Sequence, residues 1–248
     1  MAEQVDRIKK DAALRQDIRI LGDALGNAIQ QHDGRSVFET VERLRRACKR
    51  LRSCTETLTH ASKSAATNLH NEIATLDQEI MSIVEHCDLS TSIDVIRAFT
   101  VYFHLVNTAE QHQRIRRRLA YEADSTATPQ RGSLAALVSF FKEHSLDTTT
   151  IQQLLNQLSI ELVFTAHPTE ATRRSLITKS RQIAELLEQH DRIDDMTPRQ
   201  RATWQREMAS TISLLWRTDA VRHVRPQPID EIKMGGYYLN EVLFDAVP

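Results

Sequence analysis

Apolar residues recur at helical spacing along most of the chain. The pattern predicts a first helix over 4–31, closed at His32-Asp33-Gly34. A second runs from Ser36 to about 59, with Ser36 as its cap and Glu39 three residues on to complete a capping box. Beyond the polar stretch 59–68 a third helix is predicted over 67–86. Ser90, Thr91 and Ser92 offer caps for a long fourth helix over 92–121. On that helix Ile96, Phe99, Phe103 and Val106 follow 3-4-3 spacing, which predicts a core-facing stripe. Glu110 is the next step on the same face. A carboxylate there is expected at the end of the buried zone or paired with a cation. The clearest loop covers 122–132, and two shorter helices are predicted over 133–144 and 148–158.

The pattern changes at 160. Ile160–Thr165 is short, β-branched and apolar, and predicts the one strand of the chain. It ends at Ala166-His167-Pro168 and leads to a helix over 170–190 with Leu176, Ile183 and Leu187 on one face. Pro198 suits the first turn of a further helix capped by Thr197, which runs to about 218 and carries Trp204 and Trp216. Arg225-Pro-Gln-Pro-Ile-Asp230 is expected to be extended, because residues before proline avoid the α region. Asp230 can cap a last helix from Glu231. No repeat of solenoid period is visible.

Composition agrees with a mainly α chain. Its 248 residues hold only 6 Gly and 6 Pro, about half or less of ordinary usage. That balance excludes collagen-like, low-complexity and disordered classes, and a β-sandwich would need more turns. All six prolines lie at 129 or later, so the chain has two different halves. Lys plus Arg is 32 and Asp plus Glu is 33, which argues against a nucleic-acid partner. Local basic clusters at 43–52 and 114–118 read as solvated faces or domain contacts. Three cysteines, Cys48, Cys54 and Cys87, form no C-x-x-C pair, so a reduced cytoplasmic setting is expected. The longest apolar run, Leu134 to Phe141, is far short of the ~20 residues of a membrane span, and the first residues carry no secretory pattern.

The sharpest chemistry lies at 163–175. A strand would deliver His167 at its C-terminal end, and Pro168 denies the chain an immediate helical turn. Thr169 can cap the following helix, whose free N–H groups and positive dipole end favour an anion. Arg173 and Arg174 add two cations in its first turns. Such a histidine is either a general acid–base near neutral pH or a hydrogen-bonded turn residue. The other nine histidines have no comparable setting, and no zinc, nucleophile-elbow or phosphate-loop motif occurs.

The string Phe164-Thr-Ala-His-Pro-Thr-Glu170 with Arg173-Arg174-Ser175 resembles the N-terminal histidine signature of bacterial-type phosphoenolpyruvate carboxylases. Arg97-Ala-Phe99 with Leu105-Val-Asn-Thr-Ala-Glu-Gln111 resembles that family's long helix ahead of its barrel. Leu215-Trp-Arg-Thr-Asp219 with Arg225-Pro-Gln-Pro-Ile-Asp-Glu231 resembles the segment after the signature helix. Gly22 and the helices before it fit more loosely. The resemblance therefore covers nearly the whole chain in order, but only the N-terminal part of the family's length.

The resemblance implies a helical N-terminal region over 1–128, connecting helices over 129–159, and from 160–248 the first strand and helices of an incomplete (β/α)₈ TIM-type barrel. About 90 residues from 160 onward fall short of the ~200 or more that a closed barrel needs. It also implies a lyase reaction that fixes carbon: phosphoenolpyruvate and bicarbonate give oxaloacetate and phosphate, feeding the tricarboxylic acid cycle. His167 would take the carboxyl proton of carboxyphosphate as it breaks down. Arg173 and Arg174 would bind phosphate or bicarbonate, or pair structurally, with Arg173 the nearer to the site. Mg²⁺ or Mn²⁺ would serve the full enzyme, its ligands lying outside this chain. Full-length members are expected to be allosteric cytoplasmic homotetramers. The expectation for this chain is an N-terminal fragment without activity of its own. The alternative is a catalytically silent helical interaction or regulatory module derived from the enzyme. A histidine phosphotransfer bundle is disfavoured, because Pro168 opposes a helical setting for His167.

Overall fold

A computed structural model describes residues 11–59, 63–124, 128–159, 161, 173–219 and 227–243. The regular elements among them are helical. They are α1 (Ala12–His32), α2 (Arg35–Leu58), α3 (Lys63–Glu85), α4 (Leu89–Ala123), α5 (Leu134–Glu143), α6 (Thr148–Asn156), α7 (Arg174–His190), α8 (Pro198–Trp216) and α9 (Pro228–Tyr238). A 3₁₀ turn, Ile193–Asp195, joins α7 to α8, and a π turn, Leu239–Leu243, follows α9. No described helix is long and apolar enough to cross a membrane. The mainly α expectation holds. The expected strand Ile160–Thr165 lies outside the described residues except for Glu161, which belongs to no regular element.

The chain forms two compact units. The first takes residues 1–113 and 172–221, so α7 and α8 join the N-terminal helices across a long stretch of sequence. Within it α1 packs on α2 and α8, α2 packs on α3, and α7 packs on α8. One continuous core runs through this unit. Leu21 and Ile29 of α1, Leu105 of α4, Ile183 and Leu187 of α7, and Ile212 and Trp216 of α8 are almost fully removed from water. Leu176, Ile183 and Leu187 are buried on one face of α7, as their spacing predicts.

The helix starts show how local chemistry competes. Thr197 caps α8 as expected: its hydroxyl accepts from the Gln200 N–H at 3.3 Å, and the Thr197 N–H donates to Gln200 Oε1 at 2.8 Å. Thr197→Ala removes the hydroxyl of this reciprocal pair and is expected to lower stability by about 1 kcal/mol in urea unfolding. No change in midpoint would show that water replaces the cap.

Other caps differ from the sequence expectation. Gly34, at φ +91°, occupies the cap position of α2, so Ser36 already lies inside the helix. Glu39 is then free to pair with Arg35 at 2.7 Å, one turn away, instead of closing a box with Ser36. At α4 the cap is Asp88, whose Oδ1 accepts from the Thr91 N–H at 2.7 Å, and Ser90 to Ser92 are helical. That hydrogen bond holds the Asp88 carboxyl below the ordinary aspartate range. At α9 Gln227 is the cap and Asp230 is the third helical residue of the capping box, so the helix begins at Pro228 rather than Glu231. α7 begins at Arg174, later than the predicted 170.

The largest correction concerns the face of α4. Val95, Ala98, Val101, Leu105 and Ala109 are buried, whereas Ile96 is 67% and Phe103 60% exposed. Of the predicted stripe Phe99 packs half-buried against the core and Val106 is half-buried, so the buried face overlaps the predicted one only in part. Apolar residues lie on more than one face of α4, so helical spacing alone does not single out the face that the core covers. Glu110, carried by the predicted face, is accordingly exposed.

The second unit takes residues 114–171 and 222–248. It includes the last turns of α4 with α5, α6, α9 and the π turn. α5 is capped by Ser133 and α6 by Asp147, each accepting from a backbone N–H three residues on. Neither helix has a buried residue, and Leu134, Leu158 and Ile232 are more than half exposed. Met234 is the one buried hydrophobic residue among the described part of this unit.

Candidate functional site

His167 lies outside the described residues, as do Pro168, Thr169 and the rest of the string up to Thr172. The described structure resumes at Arg173, which caps α7 in an extended conformation at φ −59° and ψ 134°. Arg173 is half-buried and Arg174, the first helical residue, is exposed. The difference follows from helix geometry: Arg173 is three residues from the buried Leu176 and leans to its side, while Arg174 is turned away. α7 has no acidic residue in its first turn, so two cations stand at the positive end of its dipole. That end attracts an anion electrostatically.

The two other segments singled out in the sequence converge in the first unit. The Arg97 guanidinium of α4 lies 5.5 Å from the centre of the Trp216 ring. It also lies 3.8 Å from Asp94 Oδ1 and 3.9 Å from Asp219 Oδ1. Trp216 Nε1–H donates to Asp33 Oδ2 at the end of α1. One turn earlier on α8, Ser213 Oγ is 2.7 Å from His32 Nε2. Burial pushes the Asp94 carboxyl up, and the Asp33 carboxylate adds to this while Arg97 opposes it. The arrangement fixes the C-terminal end of α8 and the start of the segment leaving it. Its geometry is that of a structural lock, in which Arg97 is shared between Asp94 and Asp219 and the indole N–H serves Asp33.

A second polar contact escaped the sequence reading. His112, 5% exposed on α4, is 3.0 Å through Nε2 from Asp191 Oδ2 at the end of α7. Neither residue carries a local motif, and they are 79 positions apart. Among the described residues no group of three His, Cys, Asp or Glu side chains is placed to hold a metal ion.

The comparisons with known proteins place this assembly. The family described as phosphoenolpyruvate carboxylase matches residues 14–248. A phosphoenolpyruvate carboxylase of Alcanivorax borkumensis is 35% identical over 96% of this chain and 25% of its own length. One from Roseiflexus castenholzii is 35% identical over 98% of this chain and 24% of its own length. One from Gloeobacter violaceus is 39% identical over 68% of this chain and 18% of its own length. The chain spans about a quarter of the length of the relatives that match nearly all of it, and it belongs to the phosphoenolpyruvate carboxylase family.

Proposed function

We propose that this chain is the N-terminal quarter of an enzyme that carboxylates phosphoenolpyruvate with bicarbonate to oxaloacetate and phosphate. The observation that carries the reading is the family match over 14–248, which takes in the string around His167. In this reading bicarbonate attacks the phosphoryl group, and carboxyphosphate and the enolate of pyruvate result. Neutral His167 accepts the carboxyl proton of carboxyphosphate as it separates into CO₂ and phosphate, and the enolate takes up the CO₂. An imidazole suits this because its ordinary pKa, about 6.5, leaves it able to accept a proton at neutral pH. Arg173 and Arg174 bind the anionic reactants, Arg173 more closely, because it sits at the anion-attracting start of α7 and leans toward the core side. A divalent metal, Mg²⁺ or Mn²⁺, supplies charge stabilisation for the enolate, with ligands to be sought beyond these residues. The region from 160 onward begins the barrel, with 1–128 and 129–159 as its helical surround. The complete protein works in the cytoplasm as an allosteric homotetramer. The large exposed side chains of α5, α6 and α9 support a unit that needs further chain to cover it.

The test is oxaloacetate formation from phosphoenolpyruvate and bicarbonate with Mg²⁺. The chain alone is expected to give none. Fused to the remaining three-quarters of the Alcanivorax borkumensis enzyme it is expected to restore turnover. Turnover by the chain alone, lost in His167→Asn, would overturn the reading of it as an incomplete catalyst. An inactive but folded fusion would overturn the assignment of function.

A further inference from the structure

A groove of about 800 Å³ opens in the first unit between α1 and α2, with α4 contributing part of its lining. Its walls carry cations in pairs one helical turn apart. Arg15 and Arg19 lie on α1, and Arg45 and Lys49 on α2. Three aromatic rings, Phe38, Phe99 and Tyr102, line it as well. Its carboxylates are Asp23 and Glu42. Glu42 is already committed, gripped by Arg45 through two hydrogen bonds of 2.8 and 2.9 Å and approached by Arg46 at 3.7 Å. Arg15, Arg19 and Lys49 pair with no carboxylate among the described residues. Positive charge is therefore left over on both walls, beside an apolar and aromatic lining.

A second observation is independent of charge. Two glycines, Gly22 and Gly26, line the groove one turn apart on α1. Gly26 is explained by packing, because a Cβ there would lie 2.9 Å from Cε2 of Phe38. Gly22 is not explained in this way, because a Cβ at that position meets nothing within 4 Å. A glycine inside a helix is destabilising relative to alanine and needs a reason. The absent side chain keeps the groove open beside Arg15 and Arg19. The volume lies within the range of small-molecule sites.

We propose that this groove binds an organic anion whose flat apolar body lies against Phe38, Phe99 and Tyr102 and whose acidic group sits between Arg15, Arg19 and Lys49. The site uses no residue of the His167 string and stands or falls separately from the carboxylation reading. Its test uses the whole chain and two fluorescent probes of the same shape. One is 8-anilinonaphthalene-1-sulfonate, which carries an acidic group. The other is N-phenyl-1-naphthylamine, which lacks it. The sulfonate is expected to bind ~10-fold or more tightly than the neutral probe, a difference of about 1.4 kcal/mol. Arg19→Ala with Lys49→Ala should remove that preference and leave the neutral probe unchanged. Gly22→Leu should fill the groove and abolish sulfonate binding, with an unfolding temperature equal to or above that of the parent. Equal affinity for the two probes would overturn the proposal, since only apolar surface would then be at work. So would unchanged sulfonate affinity in either variant, which would place the probe elsewhere. The double variant alters only exposed side chains, so it reads the proposal even if Gly22→Leu fails to fold.

Discussion

Replacing Trp216 with alanine is expected to remove about 3–5 kcal/mol of stability, read from the midpoint and slope of urea unfolding of the whole chain. The indole is 1% exposed and belongs to the continuous core of the first unit. Its loss leaves a large cavity, and packed helices collapse into cavities only in part. It also leaves Asp33 without the donor at Trp216 Nε1 and takes the ring away from beneath Arg97. Trp216→Phe separates the contributions, because it keeps most of the packing and deletes the N–H. That variant is expected to lose less than the alanine variant, with about 1 kcal/mol of its loss belonging to the hydrogen bond. If Trp216→Ala shifts stability by less than about 1 kcal/mol, α8 does not need this lock. The contact of Arg97 with the Trp216 ring, and with it the convergence of the two segments, would then lack energetic weight.

The second large effect concerns His167. In the fusion with the remainder of the Alcanivorax borkumensis enzyme, His167→Asn is expected to lower kcat for oxaloacetate by ~10²–10⁴-fold, the usual worth of a positioned proton acceptor. Asparagine keeps a similar size and polarity but cannot accept the proton. The KM for phosphoenolpyruvate should change little, because the group acts on the carboxyl proton and does not hold that substrate. Imidazolium cannot accept a proton, so activity of the parent fusion should fall as pH drops through the ordinary imidazole range, about 6.5. A fusion with asparagine should lack that limb. Equal turnover by parent and variant would remove His167 from the chemistry.

Much of the helical layout was legible because it is written in local chemistry. Leu176, Ile183 and Leu187 share a face of α7 by spacing alone, and burial follows. Thr197-Pro198 followed by Gln200 defines the start of α8 through two hydrogen bonds that involve no distant residue. Where two local signals competed, the sequence reading picked the wrong one. Ser36 and Glu39 have the spacing of a capping box, but Gly34 reaches the required backbone conformation first. Ser90 to Ser92 lost the start of α4 to Asp88, whose charged oxygen is the stronger acceptor. The string around His167 was legible as a family signature, because its residues are consecutive in the chain.

By itself, then, the sequence determined the helical class, the starts of α5 to α8 within a few residues, and the family that the His167 string announces. These depend on neighbours along the chain, and neighbours along the chain are given. The tertiary structure alone decided which side of α4 is buried. That helix is apolar on more than one face, so its own pattern does not say which face the neighbouring helices cover. It also alone decided that Arg97 meets Trp216 and Asp219, and that His112 meets Asp191. The opening beside Gly22 belongs to the same class. Contacts between residues that lie far apart in sequence leave no period to read. They exist only once the packing of several helices has fixed the distances between them.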